Sequence, residues 1–309
     1  MICFVISLLY DHNPNEKEEK LKLNQIVLGD VLEGIKQIPN ESIDIVIADP
    51  PYNIGKDFGN NFDSLDNESY IKWCSQWIDE CFRVLKNSGT IYIYGFSEIL
   101  AHISVTIKYE KRWLIWHYTN KNVASLNFWQ RSHEAIICTW KDKPTFNRDE
   151  VREPYTEGFL NGAVGKKRKD TLGRFSKGGN ETFYSAHEKG ALPRDVLKVP
   201  ALAGGAGRVE RWIICNTCED AFPPEKKDEH ADHNVEKHPT QKPFELTRRL
   251  LLASRNEVGK TSLLIPFSGT GSECVVAKEL GIDFIAFELN PKYVKLGNAM
   301  LASVQPKLF

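Results

Sequence analysis

The sequence predicts an α/β protein built on a mostly parallel sheet with helices on both faces. Two observations carry this. Strand and helix patterns alternate at both ends of the chain, the order that a parallel sheet with crossover helices produces. Ser42 to Ala48 (SIDIVIA) is a short, largely apolar, β-branched run, the mark of a buried parallel strand. The composition is compatible: 309 residues, 41% hydrophobic and 26% charged. That is enough for one large domain and too apolar for disorder throughout.

The elements follow in order. Met1 to Tyr10 is a short apolar run with no positive charge ahead of it and no small-residue cleavage site behind. It is too short to span a bilayer and reads as an edge strand or a loose leader. No other segment is apolar enough for a membrane. Asp11 to Lys20 is a charged linker, so residues 1–23 are set apart from a main domain at 24–309. Glu68 to Leu85 places Tyr70, Trp73, Trp77, Cys81 and Leu85 on one helical face, with Lys86-Asn87-Ser88-Gly89 as the stop signal. Thr90–Tyr94, Leu114–Tyr118 and Glu134–Trp140 read as strands.

From Lys143 to about Arg211 the periodicity fades into Gly, Lys, Arg and Asn, and residues 143–212 read as a functional insertion. Order returns with a helix over Phe244–Ser254. Then come a strand over Ser262–Pro266, a helix over Ser272–Leu280, a strand over Phe284–Glu288 and a last helix over Pro291–Leu301, begun by Asn290 and Pro291.

A net charge of −1 excludes a global basic field, so any nucleic-acid surface must be local. The candidate is Gly165–Gly179, with Lys166, Lys167, Arg168, Lys169, Arg174 and Lys177 among glycines that permit close approach to phosphate. Seven cysteines at irregular positions do not form a secreted disulfide framework and point to a reducing cytoplasm.

The strand Ser42–Ala48 runs into Asp49-Pro50-Pro51-Tyr52, at the carboxyl end of a strand, where open α/β sheets bind ligands. The prolines fix the backbone and remove two N–H donors. A carboxylate beside a rigid carbonyl is a pair of acceptors, suited to an exocyclic amine, and Tyr52 offers a flat face for a base. Ser262–Pro266 leads into Phe267-Ser268-Gly269-Thr270-Gly271 and a helix. Glycines there let a ligand approach the backbone and the helix N–H groups. Glu288, at the end of the next strand, is placed to accept ribose hydroxyls.

Cys215-Asn-Thr-Cys218, followed by His230-Ala-Asp-His233, has the ligand types of a closed tetrahedral zinc site, with His238 as an alternate ligand. The segment 213–237 reads as a zinc-binding loop. It carries too few core-forming residues to fold by burial alone.

With His238-Pro239-Thr240-Gln241-Lys242-Pro243 added, the chain resembles the β class of DNA amino-methyltransferases. In that class the Asp-Pro-Pro-Tyr motif precedes the Phe-x-Gly-x-Gly motif, and the target-recognition segment lies between them. The resemblance runs from about Asn24 to Val304 and includes Gly29-Asp30, Ser132-His133-Glu134 and Thr145-Phe146-Asn147.

The resemblance implies a Rossmann-like, seven-stranded S-adenosylmethionine-dependent methyltransferase fold in permuted order, with one reversed edge strand. It implies methylation of adenine N6 in double-stranded DNA, with cytosine N4 as the alternative. An RNA or protein-amide methyltransferase and an inactive DNA-binding subunit are more distant readings. Asp49 and Pro50 would hold the amine, Pro51 would fix the turn and Tyr52 would stack on the base. Phe267, Ser268, Gly269, Thr270 and Gly271 would line the cofactor, Glu288 would take its ribose, Asp30 would lie near its adenine and Lys242 near its methionine end. A cognate restriction endonuclease is the implied partner, and the enzyme would be a monomer or a homodimer. Three departures stand out: Ile265 replaces the family's Asp before Pro266, Tyr118 replaces a common lysine, and an apparent insertion precedes His238.

Overall fold

The computed structural model describes residues 23–55, 65–120, 125–174, 176–203, 210–238, 240–257 and 259–305. Of the leader and linker expected over 1–23, residues 1–22 lie outside the described residues, as does Pro239 of the His238–Pro243 motif.

The strands are β1 (Ile26–Leu28), β2 (Ile43–Ala48), β3 (Leu85–Gly95), β4 (Glu110–His117), β5 (His133–Trp140), β6 (Lys167–Lys169), β7 (Leu172–Gly173), β8 (Ser176–Lys177), β9 (Glu181–Phe183), β10 (Val196–Lys198), β11 (Ile213–Cys215), β12 (Asp220–Phe222), β13 (Val235–Glu236), β14 (Ser262–Ile265) and β15 (Asp283–Glu288). The α-helices are α1 (Val31–Gly34), α2 (Asn67–Val84), α3 (Ser97–Thr106), α4 (Glu157–Gly162), α5 (Phe244–Ser254), α6 (Ser272–Glu279) and α7 (Pro291–Ser303).

The chain forms two compact units, residues 147–194 and the remainder. In the larger unit the sheet order is β1-β15-β14-β2-β3-β5-β4-β10. The seven-stranded arrangement implied by the resemblance is therefore present and is extended by an eighth short strand, β10, parallel to β4. The reversed strand is β5, antiparallel to both β3 and β4. It lies inside the sheet, not at the edge where the resemblance had put it, because β4 and β10 complete the sheet beyond it.

Alternation along the strands builds a core on each face. Ile45, Ile47, Tyr92, Tyr94, Leu263 and Phe284 pack with α5, α6 and α7. Val46, Ala48, Ile91, Ile93, Leu264 and Phe287 pack with α1, α2 and α3. All six residues of β2 are buried, Asp44 among them, as its largely apolar run predicts. Helix α2 begins at Asp66, whose carboxylate caps the Ser69 N–H at 2.9 Å, and buries Trp77 completely. A side chain of that size contributes about 3 kcal/mol by leaving water. Among the described residues no helix is long and apolar enough to cross a membrane.

Residues 147–194 form a thinner unit. It consists of α4, a β6–β9 pair and a β7–β8 hairpin, whose residues are almost all exposed. Stacking of Tyr155 on Phe159, with centroids 4.6 Å apart, supplies part of its packing.

Candidate active site

The carboxyl ends of β2 and β14 and the chain after β1 and β15 surround a cavity of about 260 Å3. Its wall includes Asp49, Pro50, Pro51 and Tyr52. The Lys242 ammonium donates to both Asp49 oxygens at 2.7 and 2.6 Å. It also stands 3.6 Å from Glu134 Oε2, with its own side chain only 3% exposed. The Tyr52 hydroxyl lies 2.9 Å from Asp49 Oδ1 and 2.9 Å from Glu134 Oε2, so one proton is shared between two carboxylates. The Tyr118 hydroxyl donates to Glu134 Oε1 at 2.6 Å. Tyr118 thus buttresses the network from the position where the family commonly has a lysine. The Tyr70 hydroxyl donates to the Pro51 carbonyl and pins the proline turn to α2.

The electrostatics follow from burial. Removal from water pushes the Asp49 carboxyl above its usual range, against the opposing pull of Lys242 and the Tyr52 hydroxyl. Burial alone would depress Lys242, but Asp49 and Glu134 overcome it and hold the ammonium above its ordinary value. Glu273, the second residue of α6, is pushed up to about 7, first by burial and then by the charge of Asp49. One of its oxygens accepts from the Ser272 hydroxyl at 2.8 Å, while the other is buried without a partner.

The other half of the cavity is the turn after β14. Gly269 has φ +50° and Gly271 has φ +79°, both in the left-handed region. A Cβ on Gly271 would stand 2.6 Å from Ile26 Cδ1, so a side chain there is excluded by space as well as by backbone. Phe267 packs against Trp73 and Trp77, with centroids 5.5 and 5.2 Å away. Ser268 Oγ is buried with no partner, while Ser268 and Thr270 both line the cavity. Glu288 accepts from the Gly269 N–H at 2.9 Å and the Asn290 N–H at 2.8 Å, and burial raises its pKa. Asp30 lines the same cavity and caps α1 through the Leu32 N–H at 2.7 Å. Ile265 is fully buried in the core and offers the cavity no polar atom.

These surroundings fit S-adenosylmethionine. Glycines allow backbone approach, an aromatic shelf forms one wall, and two buried polar atoms, Ser268 Oγ and Glu273 Oε1, lack partners. Carboxylates outnumber cations around the cavity, as suits a sulfonium ligand.

All the expected catalytic and cofactor residues except Gly271 therefore line one cavity; Gly271 sits in the turn behind it, against Ile26. The basic residues lie in the smaller unit, all exposed. Two are partly committed, since Lys166 Nζ and Arg168 Nη2 donate to the Gly162 carbonyl at 2.9 and 2.6 Å. Lys167 stands 3.8 Å from Glu181. Cys215, Cys218, His230 and His233 come together, with one ligand atom of each within 4.8 Å of all the others. His238 is not part of that group. Its ring meets Tyr293 edge-on at 4.6 Å and would meet a Cβ on Gly269 at 3.3 Å, so it belongs to the cavity wall.

Three residues given no role of their own in the sequence reading complete the network. Glu134, quoted only within Ser132-His133-Glu134, is a charged residue at the start of an otherwise apolar strand, a signal that could have marked it. Glu273 follows the glycine turn directly. Tyr94 lies 5.2 Å beneath the Lys242 ammonium by ring centroid.

The sequence model of the DNA methylase family matches residues 43–299. The chain is 31% identical over 280 residues to the DNA adenine methyltransferase YhdJ of Escherichia coli, covering 88% of this chain and 80% of that one. It is 27% identical over 288 residues to the type II methyltransferase M.HpaI of Haemophilus parainfluenzae, covering 90% and 74%. In fold it is similar to the cytosine-N4-specific PvuII DNA methyltransferase (TM-score 0.61, 13% identity, 89% and 85% covered). It is also similar to a DNA modification methylase of Thermus thermophilus complexed with S-adenosyl-L-methionine (TM-score 0.52, 19% identity, 90% and 93% covered).

Proposed function

The chain belongs to the DNA methylase family, and from that membership we infer that it transfers a methyl group from S-adenosylmethionine to the exocyclic N6 of adenine in duplex DNA. The observation that carries this reading is Asp49, at the end of β2 and inside Asp-Pro-Pro-Tyr, held by Lys242 and Tyr52 beside a cavity with a glycine turn. The likeness to an adenine methyltransferase supports N6 as the acceptor.

The bound cofactor supplies an electrophilic methyl group. The protein's work is positional. A base leaving the duplex loses a few kcal/mol of stacking and pairing, which contacts in the cavity offset. Asp49 and the Pro50 carbonyl accept the two amine hydrogens and draw the nitrogen lone pair out of conjugation with the ring. Tyr52 lies against the base. Lys242 opposes the effect of burial on Asp49 and donates to both of its oxygens, which favours the carboxylate form that serves as an acceptor. Glu288 receives the ribose hydroxyls, and Ser268 and Glu273 supply polar atoms to the remainder. No covalent enzyme intermediate is required, and preorganised acceptors carry the rate. Zinc, expected at Cys215, Cys218, His230 and His233, would have four protein ligands and no open position, so it takes no part in methyl transfer.

Residues 147–194 are assigned to contact with DNA, through the phosphates. Lys167→Gln with Lys169→Gln should weaken binding to every DNA sequence and lower the slope of log affinity against log salt by about 0.9 per lost contact. An unchanged slope in a salt titration would remove that assignment.

The test of the reaction is mass analysis of nucleosides from duplex DNA incubated with the protein and S-adenosylmethionine. N6-methyl-2′-deoxyadenosine is the expected product. N4-methyl-2′-deoxycytidine would move the acceptor to the other base, and methylation of RNA or protein alone would overturn the reading.

A further inference from the structure

Nothing in the transfer scheme uses the segment between Glu210 and Lys242, although both of its ends reach the reaction cavity. Arg211 and His238 line that cavity, and the Arg211 guanidinium donates to the His238 carbonyl at 3.1 Å. Gln241 Nε2 donates to the Glu210 carbonyl at 2.9 Å. Between these points the chain makes a small three-stranded sheet in the order β12-β11-β13. Strand β11 begins two residues after Arg211 and β13 ends two residues before His238. Their pairing, Ile214 with Glu236 and Cys215 with Val235, holds the outgoing and returning chains side by side.

This sheet is poorly equipped to hold itself together. Its own core is Ile213, Cys215 and Phe222, with Val235 partly buried against them. Residues 223–234 are prolines, acids, lysines and histidines apart from one alanine and one asparagine. A segment of that composition does not repay its conformational entropy by burial.

At its tip the four candidate ligands converge. His233 Nδ1 is 3.5 Å from Cys215 Sγ, 3.2 Å from Cys218 Sγ and 3.1 Å from His230 Nδ1. Cys218 Sγ is 3.7 Å from His230 Nδ1. Zinc at about 2.3 Å from sulfur and about 2.0–2.1 Å from nitrogen, with tetrahedral angles, requires ligand–ligand separations of about 3.3–3.8 Å. Two of the observed separations, 3.5 and 3.7 Å, fall in that range, and the other two, 3.1 and 3.2 Å, lie just below it, close to a tetrahedron of this size.

The surroundings are arranged for it. The Cys218 N–H points to Cys215 Sγ at 3.3 Å, the kind of contact that stabilises a thiolate. Glu219 takes φ +53° and turns the chain after the second thiol. The His230 ring lies parallel to Phe222 with centroids 3.9 Å apart, which fixes its direction.

We propose that Cys215, Cys218, His230 and His233 bind one structural zinc ion, and that this ion is the clasp that holds Arg211 and the His238–Lys242 segment in the reaction cavity. The clasp rests on the methyltransferase reading, because it acts on the cavity assigned to that reaction; the metal site does not. The connection runs along the chain. Zinc fixes the tip, β11 and β13 carry that order to Arg211 and His238, and Lys242 follows on Asp49.

Protein purified without added metal should contain one zinc per chain by plasma mass spectrometry, and X-ray absorption at the zinc edge should give two sulfur and two nitrogen neighbours. Cobalt(II) exchanged into the site should show thiolate charge-transfer and tetrahedral ligand-field bands. Cys218→Ser should lose the metal or one sulfur neighbour. Absence of zinc, a Cys215–Cys218 disulfide, or zinc retained unchanged after Cys218→Ser together with His233→Ala would overturn the site, whatever the activity.

For the clasp, zinc is removed with a chelator. S-adenosylmethionine affinity by calorimetry should fall about tenfold or more, and re-added zinc should restore it. Circular dichroism of the same sample should show the main sheet intact. Metal-free protein that binds the cofactor as before would overturn the clasp and leave the metal site standing. Zinc-loaded protein that binds the cofactor but methylates no DNA would instead count against the methyltransferase reading.

Discussion

Strand β2 carries two carboxylates, one near each end, and they are treated in opposite ways. Asp44, near its start, is 3% exposed and saturated with donors. Lys86 reaches both oxygens at 2.9 Å, Asn256 donates at 2.7 Å, and the Ser262 N–H and hydroxyl donate at 2.9 and 2.8 Å. Asp49, just past its end, is 18% exposed and held only by Lys242 and Tyr52, with a cavity on its open side. The two share residue type and a place on or directly beside one strand. What separates them is spare acceptor capacity. A carboxylate that holds the sheet together is surrounded by donors, and one that acts on a ligand is oriented by a few and left incomplete. Position follows the rule for open α/β sheets, with chemistry beyond the carboxyl edge and structure at the other.

The sharpest way to break this comparison is Asp49→Ala. Methyl transfer should fall by at least about a thousandfold, with cofactor affinity nearly unchanged, because the lost acceptor acts on the base. Substantial transfer in single-turnover assays would end the distinction between the two sites.

The converse substitution, Asp44→Ala, leaves the Asn256 amide, the Ser262 N–H and hydroxyl, and Lys86 without their common acceptor. Stability should drop by about 3–5 kcal/mol in denaturant unfolding while each remaining folded molecule keeps its activity. Wild-type stability would place Asp44 among the dispensable contacts.

Glu273 tests the incomplete side through pH. Its folded pKa of about 7 lies above the ordinary glutamate value of 4.5. The folded state therefore binds the extra proton between those values, and stability is highest below the lower one. It declines as pH rises toward 7 and levels off above. Glu273→Gln should remove on the order of 3 kcal/mol of that decline. Equal pH profiles for the two proteins would mean the carboxyl is not buried as described.

The smallest expected effect is at Glu288, which is incomplete in the same sense as Asp49, on the neighbouring cofactor side. Glu288→Ala should weaken S-adenosylmethionine binding by about 1–3 kcal/mol in calorimetry. No change would assign the residue to holding Gly269 and Asn290 alone.

What the sequence revealed follows the same division. Asp49–Tyr52 and Phe267–Gly271 were legible because each is a local string at the end of a recognisable strand. The helix over Phe244–Ser254 and the strand ending at Glu288 were legible through periodicity. Glu134 and Glu273 went without roles, because a buried acid acquires meaning only from its partners, and Lys242 is 193 positions from Asp49. Strand β10 escaped because three residues are too few for alternation to register. The reversed strand was known, but its place in the sheet depends on pairing, which one strand's pattern does not contain. His238 illustrates the opposite error. Its spacing suited a zinc ligand, yet the chain turns it toward Gly269.

Strand β14 bears on how the molecule comes into being. It lies between β2 and β15, and Ser262 bonds to Asp44 across 218 positions of sequence. During synthesis β2, with its apolar residues and the Asp-Pro-Pro-Tyr turn, emerges long before its neighbour exists. Such long-range pairing makes folding slow and leaves the edge of β2 open in the interval. The ribosome must deliver β14 and β15 before the sheet closes over that edge. The nascent chain therefore carries the Asp-Pro-Pro-Tyr turn well before Lys242 and the glycine turn that complete the cavity around it, and the site is whole only as its last strands arrive.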